Sequence, residues 1–303
     1  MKQSYSAKVK DELLNIYPNQ KHCKIAEIAG LFSMNGEVAN NSGLWSSCKF
    51  SGEERICNKY FTLLKKTNIL GEYDCDSKLL DGSQADKFLS SISYRPELHF
   101  AIDERLLKKP CCRSAYLRGV FLASGSITDP TKAYHLEIIT RSYEQAKQII
   151  SVMATFSINA KLINRMDKNI IYIKESNMIS DMLACMGASI AMLDFENVRV
   201  VKEMKNNVNR KVNCETANIG KMVDAAVREI NDIKLIDETL GLDQLSPKLR
   251  ETALLRMEHP EVPLKELGEM HDPPVGKSGV NHRLRRIGKI ALDIKGQEES
   301  KQS

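Results

Sequence analysis

The sequence predicts an α+β chain: two equivalent helix-and-strand units side by side, then linker helices, then a separate all-α domain. Three observations carry this. One stretch occurs twice at a constant offset, the apolar pattern downstream of it repeats at the same offset, and after Gly241 the composition changes to three short helices.

The repeated stretch reads CKIAEIAGLFSMNGEV at 23–38 and CRSAYLRGVFLASGSI at 112–127. Aligned without a gap, the copies share Cys23/Cys112, Ala26/Ala115, Gly30/Gly119, Phe32/Phe121 and Gly36/Gly125, always 89 residues apart. Lys24/Arg113, Ile28/Leu117, Leu31/Val120 and Val38/Ile127 differ conservatively. Self-similarity at a fixed long period marks a structural repeat. Ala26 and Gly30 are four apart, as are Ala115 and Gly119, so each pair lies on one helix face. Small residues there let two backbones approach closely. Gly36 and Gly125 stand where each helix stops and turns into a strand. Two equivalent helices are therefore expected to pack at their small faces, each leading into its own sheet.

On these residues, IAGLFSMNG (28–36) and LRGVFLASG (117–125) resemble the LAGLIDADG helix of homing endonucleases, in its form with two copies in one chain. Over nearly its full length the chain resembles the bacterial WhiA family, whose members join such a scaffold to a C-terminal helix-turn-helix. The resemblance implies a tandem LAGLIDADG-like pseudo-dimer, then linker helices, then an all-α helix-turn-helix domain. The expected divisions are 1–188 for the tandem body (repeats about 20–108 and 109–188), 189–232 for the helical linker, 233–296 for the helix-turn-helix domain and 297–303 for a disordered tail.

The elements follow in order. MKQSYSAKVKDELLNI is a charged amphipathic helix with Val9, Leu13 and Ile16 on one side, not a signal peptide. The first repeat helix, about 23–35, leads into strands near 37–40 and 44–51 joined by Asn40–Asn41–Ser42–Gly43. Residues 53–67 form a helix with Cys57, Tyr60, Phe61 and Leu64 on one stripe. At the 89-residue offset stand Ala146, Ile149, Ile150 and Met153, inside the helix 142–156. The second copy continues with strands at 133–140, 160–165 and 169–175, with Asp167–Lys168–Asn169 as a hairpin turn. The matching hairpin of the first copy, near 69–82, is more polar.

From 189 to about 231 the chain is one long helical stretch, with a break expected near Asn213. Val201, Met204, Val208 and Val212 recur at helical spacing; Arg199, Lys202, Lys205, Arg210 and Lys211 occupy the other faces, with Asn206, Asn207, Asn209, Asn213 and Asn218 nearby. Asn is a poor helix former, so this stretch either has a polar task, such as holding phosphate oxygens, or is a solvated linker. Beyond Gly241, Ser246–Pro247 opens a helix as N-cap and first residue. Pro263 begins a second, Asp272–Pro273–Pro274 stops it, and Ser278 caps a third that runs to about Ile294.

The charge is concentrated there. The net charge is +5, and the segment 277–295 alone carries six cations (Lys277, Arg283, Arg285, Arg286, Lys289, Lys295) against Asp293. Such a local excess is the footprint of a polyanion-binding surface. In the third helix Val280, Leu284, Ile287 and Ala291 form an inward stripe. The opposite face holds Ser278, His282, Arg285 and Lys289, flanked by Asn281 and Arg286, with Arg283 nearer the seam. A recognition helix is arranged in this way, with base-reading side chains pointing away from the core and phosphate partners at the flanks.

Catalysis has less support. LAGLIDADG nucleases hold divalent metal with an acid at the eighth letter of each motif; here those letters are Asn35 and Ser124. A two-metal site needs a carboxylate pair, and Glu37, two residues on, has Ser126 as its counterpart. No nucleophile-and-base pair, phosphate loop or ligand cluster is evident, so no enzyme, no cofactor and no metal are expected. The eight cysteines contain no C-x2-C pair and read as reduced thiols packed like small hydrophobes.

The expected function is therefore that of a sequence-specific regulator of transcription binding double-stranded DNA. By resemblance it acts in sporulation or in cell division and chromosome segregation. An architectural, chromosome-organising protein is the alternative, and an active endonuclease a remote one. The protein is expected to be cytoplasmic and nucleoid-associated, without a membrane segment. It is expected to be a monomer with an internal pseudo-two-fold axis, and to meet transcription or cell-division proteins as partners.

Overall fold

The computed structural model describes residues 3–41, 44–71, 79–94 and 100–302. The chain forms two compact units, Met1–Glu203 and Met204–Ser303.

In the first unit, α1 (Tyr5–Leu14) is capped by Ser4, whose hydroxyl accepts from the Ala7 amide at 3.2 Å. The first half then runs α2 (Lys21–Asn35), β1 (Gly36–Asn41), β2 (Leu44–Phe50), α3 (Glu54–Thr67), β3 (Leu79–Asp81) and α4 (Gly82–Ser91). The second half repeats this order: α5 (Pro110–Ser124), β4 (Gly125–Ile127), β5 (Leu136–Thr140), α6 (Tyr143–Ala154), β6 (Lys161–Arg165), β7 (Lys168–Ile173) and α7 (Ser176–Met186). Both sheets are antiparallel, ordered β1-β2-β3 and β4-β5-β7-β6. The first turn's Ser42 and Gly43 and most of the first copy's second hairpin lie outside the described residues. The second copy's hairpin turns one residue earlier than its composition suggested. Arg165 pairs with Lys168, and Met166 and Asp167 both adopt positive φ (49° and 58°). A two-residue turn of that kind matches strand twist, so Lys168 is already in β7.

The two motif helices form the centre of this unit. A Cβ on Gly30 would lie 2.4 Å from the Tyr116 carbonyl oxygen, and one on Gly119 would lie 2.4 Å from the Glu27 carbonyl oxygen. Only residues without a side chain permit that approach. Gly36 and Gly125 act differently from an ordinary glycine cap. Both are extended (φ −79° and −75°), so conformation does not demand glycine. A Cβ there would strike the rings of Phe32 and Phe121, at 2.6 and 2.2 Å. Each helix thus passes straight into its strand beneath its own phenylalanine. The α3 stripe and its α6 counterpart are buried in matching fashion, with Phe61 and Ile150 the half-buried member of each.

Glu27 on α2 is fully buried, with Arg118 of α5 at 3.0 Å and Lys59 of α3 at 3.0 Å from its carboxylate. The Arg118 guanidinium also donates to the Met186 carbonyl at the end of α7 (2.8 Å), and Lys59 donates to the Leu13 carbonyl (2.7 Å). The 89-residue offset carries Glu27 to Tyr116 and Lys59 to Gln148. In the second half this pair is neutral, the Tyr116 hydroxyl donating to Gln148 Oε1 at 3.4 Å.

The helix α8 (Ser189–Thr239) starts in the first unit, where the Glu12 carboxylate accepts from the Ile190 and Ala191 amides (2.8 and 2.9 Å). A carboxylate at a helix start complements the dipole there. The break expected near Asn213 is absent: α8 is continuous to Thr239, because 189–239 contains no proline and Gly220 alone as a weak helix former of that kind.

The second unit packs the end of α8 against α9 (Pro247–Glu258), α10 (Leu264–Glu269) and α11 (Lys277–Gln302). Ile233, Ile236, Leu249, Ala253, Leu267, Val280, Leu284, Ile287 and Ala291 form its core. Pro247 is the first residue of α9 as expected, but the Ser246 side chain makes no capping bond. Helix α11 starts at Lys277, with the Gly276 carbonyl accepting from Gly279 and Val280 (2.8 and 3.1 Å), so Ser278 lies inside the first turn and is not the cap. It also runs on to Gln302, where a disordered tail was expected from 297. Residues 297–302 (QEESKQ) contain no glycine or proline and mostly good helix formers. No helix among the described residues is long and apolar enough to cross a membrane.

Candidate nucleic-acid interface

The inward stripe of α11 is fully packed: Val280, Leu284, Ile287 and Ala291 are at most 4 % exposed. This packing fixes the roll of the helix and so decides which side chains face water. Lys277, Ser278, His282, Arg285, Arg286 and Lys289 are exposed, and Asn281 is half-buried. None of Lys277, Arg285, Arg286 and Lys289 forms an ion pair with a described residue.

Arg283 is placed differently. Its guanidinium turns to α9, donating to the Lys248 carbonyl (3.4 Å) and Thr252 Oγ1 (3.3 Å), and lies 3.5 Å from the Glu251 carboxylate. Lys295 pairs with Asp232 of α8 at 3.1 Å. Two of the six cations therefore hold helices together, leaving Lys277, Arg285, Arg286 and Lys289 exposed to solvent.

The turn before α11 is locked by residues that the charge pattern did not reveal. His271 is 3 % exposed; its Nδ1 donates to the Leu267 carbonyl at 2.9 Å, and its Nε2 lies 2.9 Å from Thr252 Oγ1. Gly268 lies against Val275, whose amide donates to the Gly268 carbonyl at 2.9 Å; a Cβ on Gly268 would stand 2.0 Å from the Val275 carbonyl oxygen. Arg256 is buried between α8 and α9, donating to Glu229 and to the Val262 carbonyl, both at 2.8 Å. The only sequence signal for these was a histidine and a glycine interrupting an apolar pattern.

The auxiliary cations of α8 divide. Arg199 is bound to Glu196, with Glu203 at 3.8 Å, and Lys202 lies 4.9 Å from the centre of the Tyr134 ring. Lys205, Arg210 and Lys211 are exposed, as are Val201, Met204, Val208 and Val212 on the same helix. Those valines and that methionine do not form a packed stripe.

At the ends of the motif helices, Asn35 closes α2 and its carbonyl accepts from the Ser51 amide at 3.4 Å. Ser124 closes α5, with its hydroxyl buried and unpaired among the described residues. Glu37 is exposed. Arg141 donates to the Gly36 carbonyl, one residue beyond Asn35, and stacks on Phe100 at 3.9 Å. Burial holds its guanidinium below the ordinary arginine range, with Tyr94 and Glu37 opposing the shift. The place that acids occupy in LAGLIDADG nucleases thus offers an amide, a hydroxyl and a nearby cation.

At the opposite end of the same two helices, four side chains meet that the sequence reading treated as unconnected. His22, Cys23, Cys111 and Cys112 place their ligand atoms within 4.8 Å of one another. Burial pushes the Cys23 thiol up to about 12, with Cys111 and Cys112 adding to the shift, and raises Cys112 for the same leading reason. Linear spacing could not show this group, because its members come from helix starts 89 residues apart.

Fold and site together define a two-copy LAGLIDADG-like body joined to a helix-turn-helix domain, an arrangement that suggests DNA binding. Family models agree: residues 113–205 match the WhiA LAGLIDADG-like domain and 208–291 the WhiA C-terminal HTH domain. The chain is 41 % identical over 315 aligned residues to a protein of Thermoanaerobacter pseudethanolicus named probable cell division protein WhiA, covering 96 % of this chain and 98 % of that one. The like-named protein of Clostridium perfringens strain SM101 is 42 % identical over 312 residues, with the same coverage. The crystal structure of full-length DUF199/WhiA from Thermotoga maritima superposes with a TM-score of 0.58 at 26 % identity, over 96 % of this chain and 99 % of that one. The chain belongs to the WhiA family.

Proposed function

We propose that this protein is a sequence-specific, double-stranded-DNA-binding regulator of transcription without nuclease activity. One observation carries the reading: Arg285 and Lys289, with Ser278 and His282 among them and Arg286 at the flank, are exposed on the side of α11 away from its buried stripe, and none of these cations is ion-paired with a described residue. In this reading Arg285 and His282 reach base edges in the major groove while Lys277 and Lys289 meet phosphates. Absence of nuclease activity is supported by Asn35 and Ser124 in place of an acid pair and by Arg141 bound beside them. Relatives named probable cell division proteins support a role in cell division; by family resemblance chromosome segregation and sporulation are the allied processes. The protein acts as a monomer on the nucleoid, in the cytoplasm. Genome-wide occupancy tests this directly. A sharp motif near promoters is expected, and broad occupancy without a motif would make the protein a chromosome organiser instead.

A further inference from the structure

We propose that His22, Cys23, Cys111 and Cys112 form a zinc site that joins the two halves of the LAGLIDADG-like body. The geometry is that of a ligand set drawn together. His22 Nδ1 lies 3.1 Å from Cys112 Sγ and 3.3 Å from Cys23 Sγ, and all four ligand atoms fall within 4.8 Å. With Zn–S near 2.3 Å and Zn–N near 2.0 Å, a tetrahedral ion separates its ligands by about 3.5–3.8 Å. The cluster spans that range, so small side-chain adjustments would centre an ion.

The chemistry selects the metal class. Three soft thiolates and one imidazole at tetrahedral spacing suit zinc and supply no oxygen ligand for a hard cation. On binding, the three thiols release their protons to solvent and the histidine binds as the neutral base. Zn2+ with three thiolates then carries one net negative charge. Both flanking helices present their first turns to it: Cys23 is the third residue of α2, and Cys111 and Cys112 are the second and third of α5. Helix N-termini favour thiolate, and Lys109 lies close enough to Cys112 to favour its anion.

The location gives the site a consequence. Cys23 and Cys112 are equivalent under the repeat and only 5 % and 3 % exposed, whereas Cys111 is exposed. An ion here would clamp the helix starts of α2 and α5 together at the end remote from Asn35 and Ser124.

The test is metal analysis of the full-length protein purified under reducing conditions. One zinc per chain is expected, lost in Cys23→Ser and Cys112→Ser and retained in Cys214→Ser, which alters an exposed thiol on α8. Because the buried variants could misfold, cobalt replacement in the wild-type chain provides a second reading. A thiolate-to-cobalt charge-transfer band with intense tetrahedral ligand-field absorption is expected, weakened in the surface variant Cys111→Ser. Three results would overturn the proposal: no stoichiometric metal together with no cobalt band, iron in place of zinc, or a disulfide within the cluster in protein isolated with its thiols trapped.

Discussion

Gly30 and Tyr116 stand so close that a Cβ on the glycine would lie 2.4 Å from the tyrosine carbonyl oxygen. The relation recurs with the halves exchanged, between Gly119 and Glu27, and Glu27 is the residue that the repeat aligns with Tyr116. A contact made twice by equivalent residues is the signature of an internal two-fold axis. Gly30→Leu or Gly119→Leu should therefore destabilise the first unit by several kcal/mol, since overpacking typically costs about 1–3 kcal/mol and here meets backbone. Gly220→Ala, where nothing lies within 4 Å of the new methyl, should instead add about 0.5–1 kcal/mol through helix propensity. Calorimetric unfolding of the three variants would show the contrast; equal effects would mean that the motif helices do not touch there.

The buried Glu27 carboxylate is shared between Arg118 and Lys59. Glu27→Gln leaves two buried cations facing a neutral amide, a change that costs about 3–5 kcal/mol when one partner of a buried pair is removed. Denaturant titration would measure it, and a loss below 1 kcal/mol would mean that water reaches the site.

Burial depresses the pKa of Lys59 from its ordinary value of 10.5, with Glu27 opposing the shift. Between the depressed and ordinary values the unfolded chain binds more protons than the folded one, so raising the pH favours folding. The stability of the wild-type chain relative to Lys59→Met should therefore climb as pH approaches 10.5 from below. A flat difference across alkaline pH would contradict the assignment.

Arg285→Ala should weaken binding to the true operator by about 1–3 kcal/mol while leaving random duplexes much less affected. Lys277→Ala and Lys289→Ala should weaken both alike and each reduce the salt slope by about one unit. Arg283→Ala should lower the stability of the second unit and leave the slope unchanged, because its guanidinium is engaged with α9. Titrations against specific and random DNA at several salt concentrations separate these outcomes. If Arg285→Ala weakens both duplexes equally, α11 is a phosphate clamp and sequence is read elsewhere.

No cleavage of DNA is expected with Mg2+ or Mn2+. Nicking by purified protein that disappears in Glu37→Gln would place a metal at the exposed carboxylate beyond Asn35 and overturn the reading of the site.

Periodic features were legible in the sequence. The small residues of the motif helices, the α3 and α6 stripes and the apolar face of α11 all announce burial through spacing along one helix, and each is buried save the half-buried Phe61 and Ile150. Features that depend on two distant segments were not. Nothing in the spacing of Glu27, Lys59 and Arg118 shows that three helices enclose them together, and the thiols of Cys23 and Cys112 meet only because α2 and α5 start side by side. Arg283 lies near the seam, as its position in the helix implies, but its engagement with α9 was not legible. It lies one position before Leu284, near enough to the seam for its long side chain to fold back onto α9.

The charged trio of the first half and its neutral Tyr116–Gln148 counterpart give the duplication a direction. Two copies of the first half would bury two Glu27–Lys59 pairs with no arginine between them, because Ala29 occupies the position equivalent to Arg118. Two copies of the second half would bury two guanidiniums against tyrosines. Each half is therefore matched in charge to the other and not to a second copy of itself. A single buried carboxylate thus makes the two halves a lock and its key, alike in backbone and opposite in charge at the place where they meet.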